Sequence, residues 1–198
     1  MAVDNVNLAT LIGSRICHDL ISPVGAINNG LELLGMAGAV DGPELELISD
    51  SVGNANARIR FFRIAFGAAG EQSLGKAEVV SVLDDLSKGG RLKYHWQVED
   101  AVSRVEVRLV FLAALCLESA LPYGGEVTMQ KSGDSWRVSG TGRKINVDAD
   151  LWTWLSADEA VAKITPAFVQ FALLPELAKE TGRSVAFSQS ETDVSITL

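Results

Sequence analysis

Cysteine and histidine are both scarce. Cys17 and Cys116 are the only cysteines in 198 residues, they sit far apart on apolar segments, and neither belongs to a CxxC pair. With only His18 and His95 beside them, a disulfide framework and a structural zinc site are not expected. Basic side chains are also short in number, 17 against 25 acidic ones, and the net charge of −8 opposes any role that rests on attraction to a nucleic-acid backbone. Long hydrophobic runs are missing as well. The longest, Leu109 to Leu117, stops at Glu118, well short of the ~20 residues a spanning helix requires, so no membrane segment is expected. The first residues, Met-Ala-Val-Asp-Asn-Val-Asn, offer no basic stretch ahead of an apolar one and do not read as a signal peptide. The expected location is the cytoplasm. What is present is a chain 47% apolar and 21% charged, enough for one sizeable core or two small ones.

From Asn5 to about Met36 the residues Ile12, Ile16, Leu20, Ile27, Leu31 and Leu34 keep to one side of a 3.6-residue helix. Gly35, Gly38 and Asp41-Gly42-Pro43 then end that helix and open the next. A second helix is predicted over Glu44–Phe66, with Leu45, Ile48, Val52, Ala55, Ile59, Phe62 and Phe66 as a seam. One hairpin cannot cover both stripes, so residues 1–70 are expected to form a homodimeric four-helix bundle. The stretch Gly67–Gly75 is small-residue and aperiodic and reads as a linker. Beyond it, over 76–198, the expected order is a helix at Lys76–Leu86, a strand at Leu92–Val98 and a helix at Val105–Leu121. Two strands follow around Ser132-Gly133-Asp134, then an Asp/Trp-rich segment to Ile164, a helix Pro166–Thr181 kinked or irregular near Pro175, and two terminal strands. The fold class is therefore α+β: a helical hairpin followed by a mixed sheet with helices on one face.

On the first helix, at about 100° per residue, His18 shares its face with Leu11, Ser14, Arg15, Ser22, Gly25, Asn29 and Glu32, opposite the apolar stripe. An exposed helical histidine is most simply a polar surface residue. Its neighbours argue for more: Asp19 follows directly, Ser22 and Pro23 come a turn later, and a proline inside a helix costs ~3 kcal/mol that helix stability alone does not explain.

The segment Cys17-His18-Asp19-Leu20-Ile21-Ser22-Pro23-Val24 resembles the H-box of two-component histidine kinases. That resemblance implies that His18 is the phospho-accepting histidine, Asp19 the acidic neighbour that orients or deprotonates it, and Pro23 the helix-bending proline. The whole chain resembles a dimerisation and phosphotransfer domain followed by a kinase-like ATPase domain, but with departures where a kinase binds nucleotide. Ser119 stands in place of the Mg²⁺-holding Asn, Val138-Ser139-Gly140-Thr141-Gly142 replaces Asp-x-Gly-x-Gly, and no glycine-rich lid precedes Pro166. A kinase-like dimer with the histidine and without the nucleotide site is similar to the ChpT-like histidine phosphotransferases. Membership would imply relay of a phosphoryl group from the receiver of a CckA-type hybrid kinase to response regulators of the CtrA and CpdR type. No cofactor is then bound by this chain, and Mg²⁺ is expected in the partner receiver's acidic pocket. Receivers are expected to dock on the His18 face, over Arg15, Ser22, Gly25 and Asn29. Two alternatives stay open: an ATP-dependent histidine kinase with an atypical pocket, and a non-catalytic dimeric adaptor for receivers.

His95 is read as structural or surface-exposed, and Trp96, Trp136, Trp152 and Trp154 as packing residues. Asp148, Asp150, Asp158 and Glu159 read as solvated charge rather than a metal site, and Arg58, Arg60 and Arg63 as complements to a helix dipole.

Overall fold

The structure, a computed structural model, describes residues 24, 25, 27–36, 43–68, 70–156 and 166–198. A helix over residues 27–36 (α1) is followed by Pro43–Ala65 (α2), the two-residue strand Ser73–Leu74 (β1), helix Lys76–Gly89 (α3), strands Leu92–Trp96 (β2) and Val102–Ser103 (β3), and helix Arg104–Ala120 (α4). Then come strands Gly125–Ser132 (β4) and Ser135–Thr141 (β5), the short helix Ala149–Thr153 (α5), a 3-10 turn Pro166–Phe168, helix Val169–Glu180 (α6), and strands Ala186–Gln189 (β6) and Asp193–Thr197 (β7). The part of the first predicted helix that carries Ile12, Ile16 and Leu20 lies outside the described residues.

The longest apolar run becomes the buried centre of the fold. All of Leu109–Leu117 is buried in α4, which packs between the sheet and α6. Its start is written in Ser103-Arg104-Val105-Glu106, the S-x-x-E signature: Ser103 Oγ accepts the Glu106 amide at 3.3 Å and donates to the Glu106 carboxylate at 3.1 Å. Its end is written in Pro122-Tyr123-Gly124-Gly125. Gly124 takes φ +85° beside the Arg91 carbonyl, and a Cβ on Gly125 would stand 2.0 Å from the Thr141 carbonyl oxygen, so this turn requires glycine.

Five strands form a mixed sheet in the order β2-β4-β5-β7-β6, parallel only between β2 and β4. Alternation along each strand buries Leu92, Tyr94 and Trp96, then Val127 and Met129, Trp136 and Val138, Val194 and Ile196, all toward the helices. The opposite face carries Lys93, His95, Glu126 and Arg137. His95 is thus at the surface, 3.6 Å from Glu126, while Trp96, Trp136 and Trp152 are core residues as expected.

Glu106 ties the layers together. Its carboxylate accepts from Lys131 Nζ at 2.9 Å, Trp136 Nε1 at 3.0 Å and Arg183 Nη2 at 3.1 Å, joining α4 to β4, β5 and the segment after α6. Burial alone would raise its pKa, but the hydrogen bonds from Lys131, Trp136 and Ser103 and the Lys131 charge lower it below its ordinary value.

Three local expectations change. The end of the predicted linker is strand β1, paired to β3 with Leu74 buried, because the Arg104 amide donates to the Gln72 carbonyl and Val102 lies opposite Leu74. The Asp/Trp-rich segment contains α5, capped by Asp148, whose side chain accepts the Leu151 amide at 3.1 Å. The segment expected as one helix from Pro166 begins as a 3-10 turn, and α6 proper starts at Val169 and includes the buried Pro175. Among the described residues no helix is long and apolar enough to cross a membrane.

Candidate functional site

Of the six residues singled out for transfer and docking, Arg15, His18, Asp19 and Ser22 lie outside the described residues; Gly25 and Asn29 lie within them. Gly25 is helical and half-buried, and a Cβ built on it meets no atom of the described residues within 4 Å. Asn29 is exposed one turn further along. Beside it Asn28 donates to Glu32 at 3.0 Å and faces a cleft of about 460 Å³ between α1, α2 and α3. Asp50, Asn54, Asn56 and Arg60 from α2 and Asp85 and Lys88 from α3 are among its walls. The cleft presents amides and alternating charges, a surface suited to hydrogen bonding with a protein partner.

The C-terminal half of α2 shows what periodicity did not. Taking Arg58 as zero and about 100° per residue, Ala57, Phe61, Ile64 and Ala65 fall between about 240° and 340°, and all four are buried. They face α3 and α4. The predicted seam of Ile48, Val52, Ala55, Ile59, Phe62 and Phe66 lies on the opposite side, near 40° to 120°; Ile59 in it is buried and Phe62 and Phe66 pack against the core, while Ile48 toward the other end is 48% exposed. On α1 the stripe is likewise open: Ile27 is 51% and Leu34 45% exposed, and the flanking Leu33 65%.

Arg58 and Arg60 border the buried stripe. Arg58 reaches Glu118 of α4 through both nitrogens, at 2.7 and 3.2 Å, and Arg60 reaches Asp85 of α3 at 2.7 Å. The dipole role expected for all three arginines therefore fits only Arg63, because the other two find carboxylates on neighbouring helices. The hydrogen bond that Arg58 donates to Glu118 raises the Arg58 pKa against its partial burial. Burial first, and the Glu118 charge second, push the Tyr94 phenol far above its usual value, so it stays protonated.

Where a kinase would hold nucleotide, each departing residue has a packing role. Ser119 Oγ donates back to the Cys116 carbonyl at 2.6 Å. Val138 is fully buried in β5 between Met129 and Ile196. Gly140 and Gly142 receive Leu121, whose methyl carbons stand 2.9 and 2.7 Å from where their Cβ atoms would be. A second cavity, about 390 Å³, opens beside Ser119 and is lined by Arg58, Arg91, Glu118, Phe62, Phe66 and Gln170. Among the described residues no group of three or more His, Cys, Asp or Glu side chains is placed to hold a metal ion.

Residues 76–193 match the family described as Histidine phosphotransferase C-terminal domain. The chain is 32% identical over 196 residues to Protein phosphotransferase ChpT of Brucella abortus strain 2308, covering 96% of this chain and 93% of that one. Among solved structures it is similar to a bacterial phosphotransferase, with a TM-score of 0.69 and 28% identity over 98% of this chain and 95% of that chain. Full-length ShkA in complex with AMPPNP aligns with a TM-score of 0.45 and 14% identity, over 96% of this chain and 45% of that one.

Proposed function

This chain belongs to the histidine phosphotransferase family, and from that premise we propose that it relays a phosphoryl group between receiver-domain aspartates through His18, without ATP. The observation that carries this reading is the similarity to a protein phosphotransferase along nearly the full length of both chains. The H-box residues His18, Asp19 and Pro23 say where on the chain the group is held.

The chemistry balances with the residues named. One ring nitrogen of neutral His18 attacks the phosphorus of an aspartyl phosphate in line, the N–P bond forms as the O–P bond breaks, and the receiver carboxylate leaves. The proton on the other ring nitrogen stays there, held toward Asp19, which steadies the cation that develops. Transfer to a second receiver reverses these steps. Mg²⁺ enters with the receiver, whose acidic pocket holds it. Partners of the CckA, CtrA and CpdR type, and a cytoplasmic setting, belong to this proposal. A phosphorylated receiver incubated with the chain leaves acid-labile phosphate on it; Mg²⁺-ATP alone leaves none. Labelling by ATP would select the kinase reading, and no labelling from any phospho-receiver the adaptor. Leu121 beneath Gly140 and Gly142, and the apolar Val138, support the reading without ATP.

The assembly proposed is a homodimer through residues 1–70, supported by the open stripe of Ile27, Leu34 and Ile48. Ile48→Asp places a charge on that stripe without touching the core, and it turns the dimer into a folded monomer in sedimentation velocity. An unchanged dimer would move the interface elsewhere.

Docking is assigned to the face of Arg15, Ser22, Gly25 and Asn29. At −8 the chain does not draw acidic receivers by long-range attraction, so contact depends on shape, and the bare backbone at Gly25 leaves room for it. A Cβ at this position meets nothing among the described residues, and Gly25→Arg raises helix propensity. It is expected to keep fold and assembly yet slow transfer at least ~10-fold, a change of ~1.4 kcal/mol in the barrier. A transfer rate equal to wild type in a stopped-time assay would remove this face from the docking surface.

A further inference from the structure

The join between α2 and the C-terminal half is built as one packed body. Phe61 is fully buried and stacks on Phe111 of α4 with centroids 4.4 Å apart and planes 4° from parallel. Arg58 to Glu118 on one side and Arg60 to Asp85 on the other bracket that stack. Two of the carbonyls at the end of α2, a position where intrahelical partners run out, accept from α4. Arg104 Nη2 donates to the Arg63 carbonyl at 3.1 Å, and Arg108 Nε, one turn on and 5% exposed, to the Ala65 carbonyl at 3.3 Å. The glycine-containing connector that follows is pinned within a few residues by the β1–β3 pair and the Arg104 amide bond to Gln72. Hydrophobic packing, two lateral ion pairs and a capped helix end act at one junction, and a swinging motion would have to break all of them together.

We propose that Arg58 is a positioning residue which, with Phe61, welds the C-terminal half to the transfer hairpin, so that it stands as a fixed wall of the α1–α2–α3 cleft and not as a mobile lobe. The effect on transfer rests on the proposal that the hairpin carries the phosphoryl group; the weld itself does not. A receiver entering that cleft meets Asp85 and Lys88 of α3 in the same place relative to α2 every time, and holding reacting groups in place is worth large factors in rate.

Nitroxides placed at Asp50→Cys and Glu191→Cys in a Cys17→Ser background, with labelled chain diluted into unlabelled chain, report the distance across the junction; Cys116 is fully buried and stays unlabelled. The expected result is one narrow distance distribution for wild-type Arg58, a broadened one for Arg58→Glu, and recovery in Arg58→Glu with Glu118→Arg. Phosphate uptake from a receiver domain charged with acetyl phosphate is expected to fall about tenfold or more in Arg58→Glu and to recover in the swapped pair. Should Arg58→Glu fail to fold by circular dichroism, Glu118→Gln, which removes the charge and keeps the shape, is read in its place. A broad or multiple distribution with Arg58 intact overturns the weld, and a broadened variant with undiminished uptake overturns the positioning role. If the unaltered chain takes up no phosphate, the functional proposal fails while the distance measurement still decides the weld.

Discussion

Phosphate uptake from a phosphorylated receiver is expected to disappear in His18→Ala. The drop should be at least roughly a thousandfold, within the scale seen when an enzyme loses its nucleophile. No other residue is equipped to replace it. The second histidine, His95, lies on the open face of β2 and pairs with Glu126, and the carboxylates of the chain would form acyl phosphates rather than a phosphoramidate, with a different stability in acid and base. Alanine is the best helix former, so the substitution is compatible with the helix that the sequence predicts there, and circular dichroism should match wild type. His95→Ala should label normally. Persistent acid-labile phosphate on His18→Ala would move the acceptor to another residue and undo the assignment made from the H-box.

The largest expected effect on stability is that of Phe61→Ala. The ring is fully buried and stacked on Phe111, with Arg58 and Arg60 engaged on either side. Removal of a buried phenylalanine costs about 3–5 kcal/mol, or roughly 10 °C in Tm for a chain of this size. Because α2 and α4 share the core at this point, loss of helicity at α2 and loss of tryptophan signal from the sheet should occur in one transition. A cost below about 1 kcal/mol, or two well-separated transitions, would mean that the hairpin and the C-terminal half fold independently. Chemical denaturation followed by circular dichroism and by tryptophan fluorescence distinguishes these outcomes.

Local patterns in the chain reached far toward both fold and function. The apolar segment announced the central helix over Val105–Leu121 and Leu-Pro-Tyr-Gly-Gly its end, because turn chemistry acts over a few residues, while the Ser103–Glu106 cap at its start was seen only in the structure. Alternation in β4 and β5 identified the hairpin around Gly133 and Asp134, while His18, to which the H-box resemblance points, lies outside the described residues. Strands of two residues, β1 and β3, have no period to detect, and α5 shows only its cap at Asp148.

The composition and the strongest stripe of each helix determined the α+β class, the helical hairpin and the acidic character of this protein. Tertiary structure alone decided that α2 is two-faced. Ala57, Phe61, Ile64 and Ala65 share a helix with the stronger seam and are bordered by two arginines, so their stripe reads as surface until α3 and α4 arrive with Asp85, Glu118 and Phe111. The same holds for Gly140 and Gly142, whose need to be small comes from Leu121, a residue about twenty positions away that only folding brings beneath them. Periodicity reports which residues point the same way along one element; which neighbour they point to is a long-range contact, set by how the elements pack.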